Sequence, residues 1–170
     1  MLKQMNPPDP SLKSSFPPVV DVTTRVLILG SLPGEASLAA GQYYANPRNQ
    51  FWRLIEAVTG RPMPVGYEDR LAHLLGLHVG LWDTVKSAHR SGSLDTAIRN
   101  HQANALPDLA AQLPALRAVA FNGGKAAAIG RPQLADLPNL ALIDLPSSSP
   151  ALTRPFGAKL DVWRALGEFL

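Results

Sequence analysis

The sequence predicts an α/β domain: a three-layer α/β/α arrangement on a four-stranded, mainly parallel central sheet. Three observations carry this. Four short apolar runs alternate along the chain with segments of helical periodicity. Each run stops at a turn rich in Gly, Ser or Asp. And 170 residues with 46% hydrophobic content suit one domain, able to bury roughly 70% of its unfolded surface.

Met1 to Phe16 (MLKQMNPPDPSLKSSF) is Pro-rich and polar and reads as an extended N-terminal arm, leaving 17–170 as a single domain. Val26–Leu29 (VLIL) is the first strand, closed by Gly30. Asn49–Thr59 is a helix, with Phe51, Trp52, Ile55 and Val58 on one face and Gly60 at its end. Tyr67–Leu75 is a second helix and Val79–Trp82 a second strand. Leu106–Leu113 is helical, Ala118–Phe121 is the third strand, and the Ala-rich Lys125–Ile129 is helical again. Leu140–Leu145 is the fourth strand. Lys159–Leu170 closes the chain as a helix with Leu160, Trp163, Leu166 and Leu170 on one stripe. Strands alternating with helices argue for a parallel sheet covered on both faces.

Composition narrows the chemistry. The chain has no cysteine, which removes disulfides, thiolate nucleophiles, iron–sulfur clusters and zinc ribbons together. The four histidines, His73, His78, His89 and His101, form no HxxxH or HExxH pair, so no metal site is expected. No apolar run approaches the ~18 residues that span a bilayer, and the N-terminus lacks the apolar region of a secretory signal. A cytoplasmic, metal-free, cofactor-free protein with no membrane partner is expected. The net charge is +3, and the 16 basic residues are 11 Arg and 5 Lys. Arginine's planar fork suits phosphate and base contacts, although an Arg-rich composition accounts for this bias as well.

In an open parallel sheet the strand ends share one edge, where such folds bind ligands. The four runs deliver Gly30–Gly34 (GSLPG), Asp83-Thr84, Asn122-Gly123-Gly124 and Pro146–Pro150 (PSSSP) to that edge. These clusters do not fit a P-loop, a dinucleotide fingerprint or a nucleophile elbow. No histidine is placed by sequence to activate a serine of 147–149.

Residues 30–55, GSLPGEASLAAGQYYANPRNQFWRLI, resemble the uracil-DNA glycosylase superfamily. The likeness is greatest to its hypoxanthine-DNA glycosylase branch, with the mismatch-specific uracil glycosylases next. It continues through GLWDTVKSAHRSGSLDTAIRN (80–100), FNGGKA (121–126) and LPSSSPA (145–151), and so covers the chain from about Phe16 onward.

The resemblance implies a set of roles. Gly30, Ser31 and Leu32 belong to the first motif, whose amides face the flipped nucleotide. The mismatch-specific relatives carry a catalytic Asn where this chain has Leu32, which cannot position water. The hypoxanthine branch relies instead on a downstream Asn, matched here by Asn49, a residue equally suited to cap the helix that follows. Tyr44 matches an aromatic that stacks on the extruded base, or packs in the core. Asp83 matches a base-reading position. Its carboxylate can accept from an N–H of hypoxanthine or uracil, its neutral form can donate, and it also suits a helix N-cap. Ser147 and Ser148 stand where relatives stabilise the departing base, with Ser149 and Pro150 in the same DNA-binding loop. Leu152 matches the wedge that fills the vacated stack, or anchors the loop, and Arg154 matches a phosphate contact.

Together these imply a monomeric, monofunctional glycosylase acting on double-stranded DNA carrying a deaminated base, with single-stranded DNA as a further option. Two alternatives stand beside it: a catalytically silent DNA-binding domain of this fold, and a hydrolase of free nucleosides or nucleotides.

Overall fold

A computed structural model describes residues 6–170. Seven strands, six α-helices and two 3-10 segments follow in chain order among the described residues. The strands are β1 (Leu12–Ser14), β2 (Val26–Gly30), β3 (Val79–Asp83), β4 (Val85–His89), β5 (Arg99–Ala103), β6 (Ala118–Asn122) and β7 (Ala141–Leu145). The helices are α1 (Glu35–Ala40), α2 (Phe51–Thr59), α3 (Tyr67–Gly76), α4 (Leu106–Ala111), α5 (Gly124–Leu134) and α6 (Phe156–Trp163). The 3-10 segments are Asp95–Ala97 and Arg164–Phe169.

The central sheet has the order β3-β2-β6-β7, with every pairing parallel. The alternation of β2 shows why three layers form. Val26 and Ile28 face one core, packed with Phe51, Leu54 and Ile55 of α2, Leu74 of α3 and Trp163 of α6. Leu27 and Leu29 face the other, with Leu106 and Leu109 of α4 and Ala126 and Leu134 of α5. A strand whose residues are all buried needs helices on both faces, and β2 is buried at all five positions.

The outcome departs from the sequence expectation in several places. A second, antiparallel sheet of order β1-β4-β5 stands beside the first. It takes residues 12–14 out of the expected arm, and residues 1–5 of that arm lie outside the described residues. Asp83 therefore leads into β4 and not into a helix, so the helix-cap reading of Asp83 falls away. The helix α2 begins at Phe51, two residues later than expected, because Asn49 Oδ1 accepts from the Phe51 N–H at 3.0 Å and ends the preceding turn. The closing helix starts earlier, at Phe156, and tightens to 3-10 geometry after Trp163.

Candidate active site

All four C-terminal ends of the parallel strands open on one cleft of about 490 Å³. From the first loop it takes Gly30, Ser31 and Leu32; from the stretch before α2, Tyr44 and Asn49; and Asp83 from the end of β3. The loop after β7 contributes Ser147, Ser148, Ser149, Pro150 and Leu152. Of the residues singled out from sequence, Arg154 alone is not part of the lining; it is exposed in the same loop.

Gly30 is a glycine for a steric reason. A Cβ there would sit 2.6 Å from Asp83 Oδ1 and 3.4 Å from the Tyr44 hydroxyl oxygen. The missing side chain lets both groups reach the floor of the cleft. Ser31 is buried, and its hydroxyl donates to Asp95 Oδ1 at 2.5 Å. Leu32 points into a small core with Val85, Ala88 and Ile98, where it ties the first loop to the second sheet.

Asp83 is 4% exposed, and its Oδ2 is shielded without a hydrogen-bond partner. Burial pushes its carboxyl up to about 7, the nearby Asp95 carboxylate adds to the rise, and Arg90 opposes it. A shielded carboxyl without a protein partner is an expensive feature to keep in a core, and it is what a ligand-reading group requires.

Tyr44 adopts a left-handed backbone with φ 53°, rare for a residue with a side chain. Its ring stacks on Phe51, with centroids 4.0 Å apart and planes at 10°. One face of Tyr44 is thus taken by the core. Asn49 is half-buried, and its carbonyl oxygen has a second lone pair beyond the one that caps α2. The Gln50 N–H donates to the Ser148 carbonyl at 3.0 Å, which locks the Asn49 turn to the serine loop.

Residues 17–167 match the family model of the uracil DNA glycosylase superfamily. The chain belongs to that superfamily. It is 43% identical over 114 residues to a hypoxanthine DNA glycosylase of Methanosarcina barkeri, covering 66% of this chain and 72% of that one. A second hypoxanthine DNA glycosylase, from Methanosarcina acetivorans, is 42% identical over 116 residues, covering 68% and 73%. The solution NMR structure of a candidate uracil DNA glycosylase from Methanosarcina acetivorans superimposes with a TM-score of 0.83 at 38% identity, covering 92% of this chain and 96% of that one. The protein is an enzyme of the DNA glycosylase class, a hydrolase of N-glycosyl bonds.

Three residues shape the cleft without having been singled out as site residues in the sequence. Asn122, buried at the end of β6, donates through Nδ2 to the Tyr44 hydroxyl at 3.2 Å and to Ser148 Oγ at 2.9 Å. Its place after a fully apolar strand was the available signal. Asp95 lies in the 3-10 segment after β4 and lines the cleft. Lys159 of α6 is 1% exposed and donates to the Ser149 carbonyl at 3.2 Å, bracing the serine loop from behind. Burial, with Arg154 nearby, lowers the tendency of this amine to hold its proton.

The serines divide. Ser148 Oγ accepts from Asn122, and its N–H donates to Asn122 Oδ1 at 2.8 Å, so Ser148 is an anchor of the loop. Ser147 Oγ accepts from the Ser149 N–H at 3.1 Å, which leaves its own hydroxyl proton to donate toward the cleft. Among the described residues, no helix is long and apolar enough to cross a membrane.

Proposed function

We propose that this DNA glycosylase flips hypoxanthine, and with lower preference uracil, out of duplex DNA and hydrolyses the N-glycosyl bond without cutting the strand. The observation that carries the reading is the pairing of an unpartnered buried carboxyl, Asp83, with Asn49 in one cleft at the strand ends. The named activity of the Methanosarcina relatives supports hypoxanthine as the leading base.

Asp83 works in its neutral form. The departing base gathers negative charge as the C1′–N bond breaks toward an oxocarbenium-like sugar. A carboxylate would repel that charge, whereas a neutral carboxyl donates to the base oxygen and accepts from the neighbouring N–H. Hypoxanthine and uracil both present such an N–H beside a carbonyl. The base stacks on the face of Tyr44 that Phe51 leaves open. Asn49 orients water toward C1′ with the second lone pair of its carbonyl. It is neutral, so it positions the water and does not deprotonate it strongly. Ser147 donates toward the departing base, Leu152 fills the vacated stack, and Arg154, with the main chain of Ser149 and Pro150, meets the backbone. The enzyme works as a monomer.

Single-turnover assays on labelled duplexes containing hypoxanthine, uracil or xanthine test this, with alkali revealing abasic sites. The expected order is hypoxanthine ahead of uracil, with duplex ahead of single strand and no cleavage of free deoxyinosine. Tight duplex binding without release of any base would make the protein a silent binder. Cleavage of free nucleosides as fast as of DNA would make it a nucleoside hydrolase.

A further inference from the structure

The segment between β4 and β5, residues 90–98, touches the first loop at every turn. Ser31 donates to Asp95 at 2.5 Å. The Glu35 N–H donates to Ser93 Oγ at 2.9 Å. Arg90 is buried, and its guanidinium donates to main-chain carbonyls alone: Gly92 at 2.8 Å, Leu32 at 3.5 Å, and Pro33. A buried arginine held by carbonyls is a structural clamp, because its fork reaches several acceptors at fixed angles. The connection thus grips Ser31–Glu35 at four points along five residues.

We propose that this connection is a working wall of the glycosylase site and that Asp95 is its positioning residue, holding the Ser31 hydroxyl so that Ser31 and Asp83 together meet the N–H edge of the flipped base. The inference rests on the function proposed above. With its proton committed to Asp95, Ser31 Oγ presents lone pairs to the cleft. Ser31 is then an acceptor of fixed direction, one residue from the Gly30 floor on which Asp83 sits.

Asp95 has a second effect through its charge. The groups facing the Asp83 carboxyl are Asp95 and Arg90 from this connection, and Tyr43 and Tyr44 from the stretch before α2. Among them Asp95 is the like charge, and it helps keep Asp83 neutral in the neutral pH range. Arg90, which opposes the rise, has its donors committed to carbonyls.

The test compares wild type, Asp95→Asn and Asp95→Ala in single-turnover release of hypoxanthine across pH, with thermal melts of each. Asp95→Asn keeps an oxygen acceptor for Ser31 and removes the charge. Its rate on the acid plateau is expected within about threefold of wild type, and its alkaline limb is expected to move down by about half a pH unit or more. Asp95→Ala is expected to lose about tenfold on the plateau as well, by analogy with removing one preorganised polar group. If Asp95→Ala does not fold, Ser31→Ala, which removes the hydroxyl that Asp95 holds, takes its place with the same expected loss. A folded Asp95→Ala variant with the wild-type plateau rate overturns the positioning of Ser31, an Asp95→Asn profile superimposed on that of an active wild type overturns the effect of the charge, and either result leaves the proposed function standing. A wild type that releases no deaminated base overturns both.

Discussion

Asn122 and Ser148 hold each other at both ends: Asn122 Nδ2 donates to Ser148 Oγ at 2.9 Å, and Asn122 Oδ1 accepts from the Ser148 N–H at 2.8 Å. This pair joins the end of β6 to the loop after β7, and through the Tyr44 hydroxyl it reaches the cleft floor beside Asp83. Asn122→Ala leaves the Ser148 N–H buried without a partner. A loss of about 1–3 kcal/mol of stability is expected, with weaker cleavage because the serine loop loosens. Urea unfolding and single-turnover rates on one preparation check both. Asn122→Asp, which keeps the acceptor for the Ser148 N–H and loses the donor, should retain part of the stability and less of the activity.

Asn49 has a capping role and a proposed catalytic one, and they separate in magnitude. Asn49→Ala should cost about 1 kcal/mol through the lost cap on α2. Its single-turnover rate should fall about 100-fold or more. Asn49→Ser restores a cap without an amide of the same reach, so it should recover stability and leave the rate low.

The pH dependence follows from Asp83. Its carboxyl is pushed up to about 7 in the folded protein, from an ordinary value of 3.8. The neutral form, active in the proposed mechanism, dominates below that pH, so cleavage should fall as pH rises through about 7. Stability follows the same titration. Below the unfolded-state value both states are protonated and Asp83 costs nothing. As pH rises from there toward about 7, the unfolded chain ionises while the folded one does not, and the fold loses about 1 kcal/mol per pH unit from this group. Asp83→Asn should therefore melt higher than wild type at about pH 8 and nearly level with it at about pH 4. Equal melting differences at both pH values would contradict the buried, proton-holding carboxyl.

Gly30→Ala tests the close approach at the cleft floor. The added methyl carbon would sit 2.6 Å from Asp83 Oδ1, inside contact distance, so the carboxyl must move. Activity is expected to drop by about tenfold or more from misplacement of this kind. The fold should survive, since the collision is with a side chain.

Much of this layout is legible in the residues, for physical reasons. The strands β2 and β6 are all-apolar runs closed by a polar or glycine residue, and only a strand buried on both faces reads that way. β2 and β6 run parallel to each other and to β3 and β7, so the strand ends share one edge, where Gly30, Asp83 and the 147–149 serines converge. The second sheet was hidden. β5 (RNHQA) is exposed at all five positions, so it carries no apolar alternation, and β1 (LKS) sits in a Pro-rich stretch. Asp95 was hidden with it, because its neighbour Ser31 lies 64 positions earlier in sequence. Asn49 and Leu32 show the limit of motif reading. One is both cap and candidate, and the other serves the core of the second sheet.

The most direct test is release of free hypoxanthine from a duplex under single-turnover conditions, by wild type and by Asn49→Ala purified in parallel. Wild type is expected to release hypoxanthine and leave an alkali-labile abasic site, and Asn49→Ala to release it about 100-fold more slowly at similar duplex affinity. Wild-type release matched by the Asn49→Ala variant would contradict the assigned chemistry, and no release from wild type would contradict the function itself.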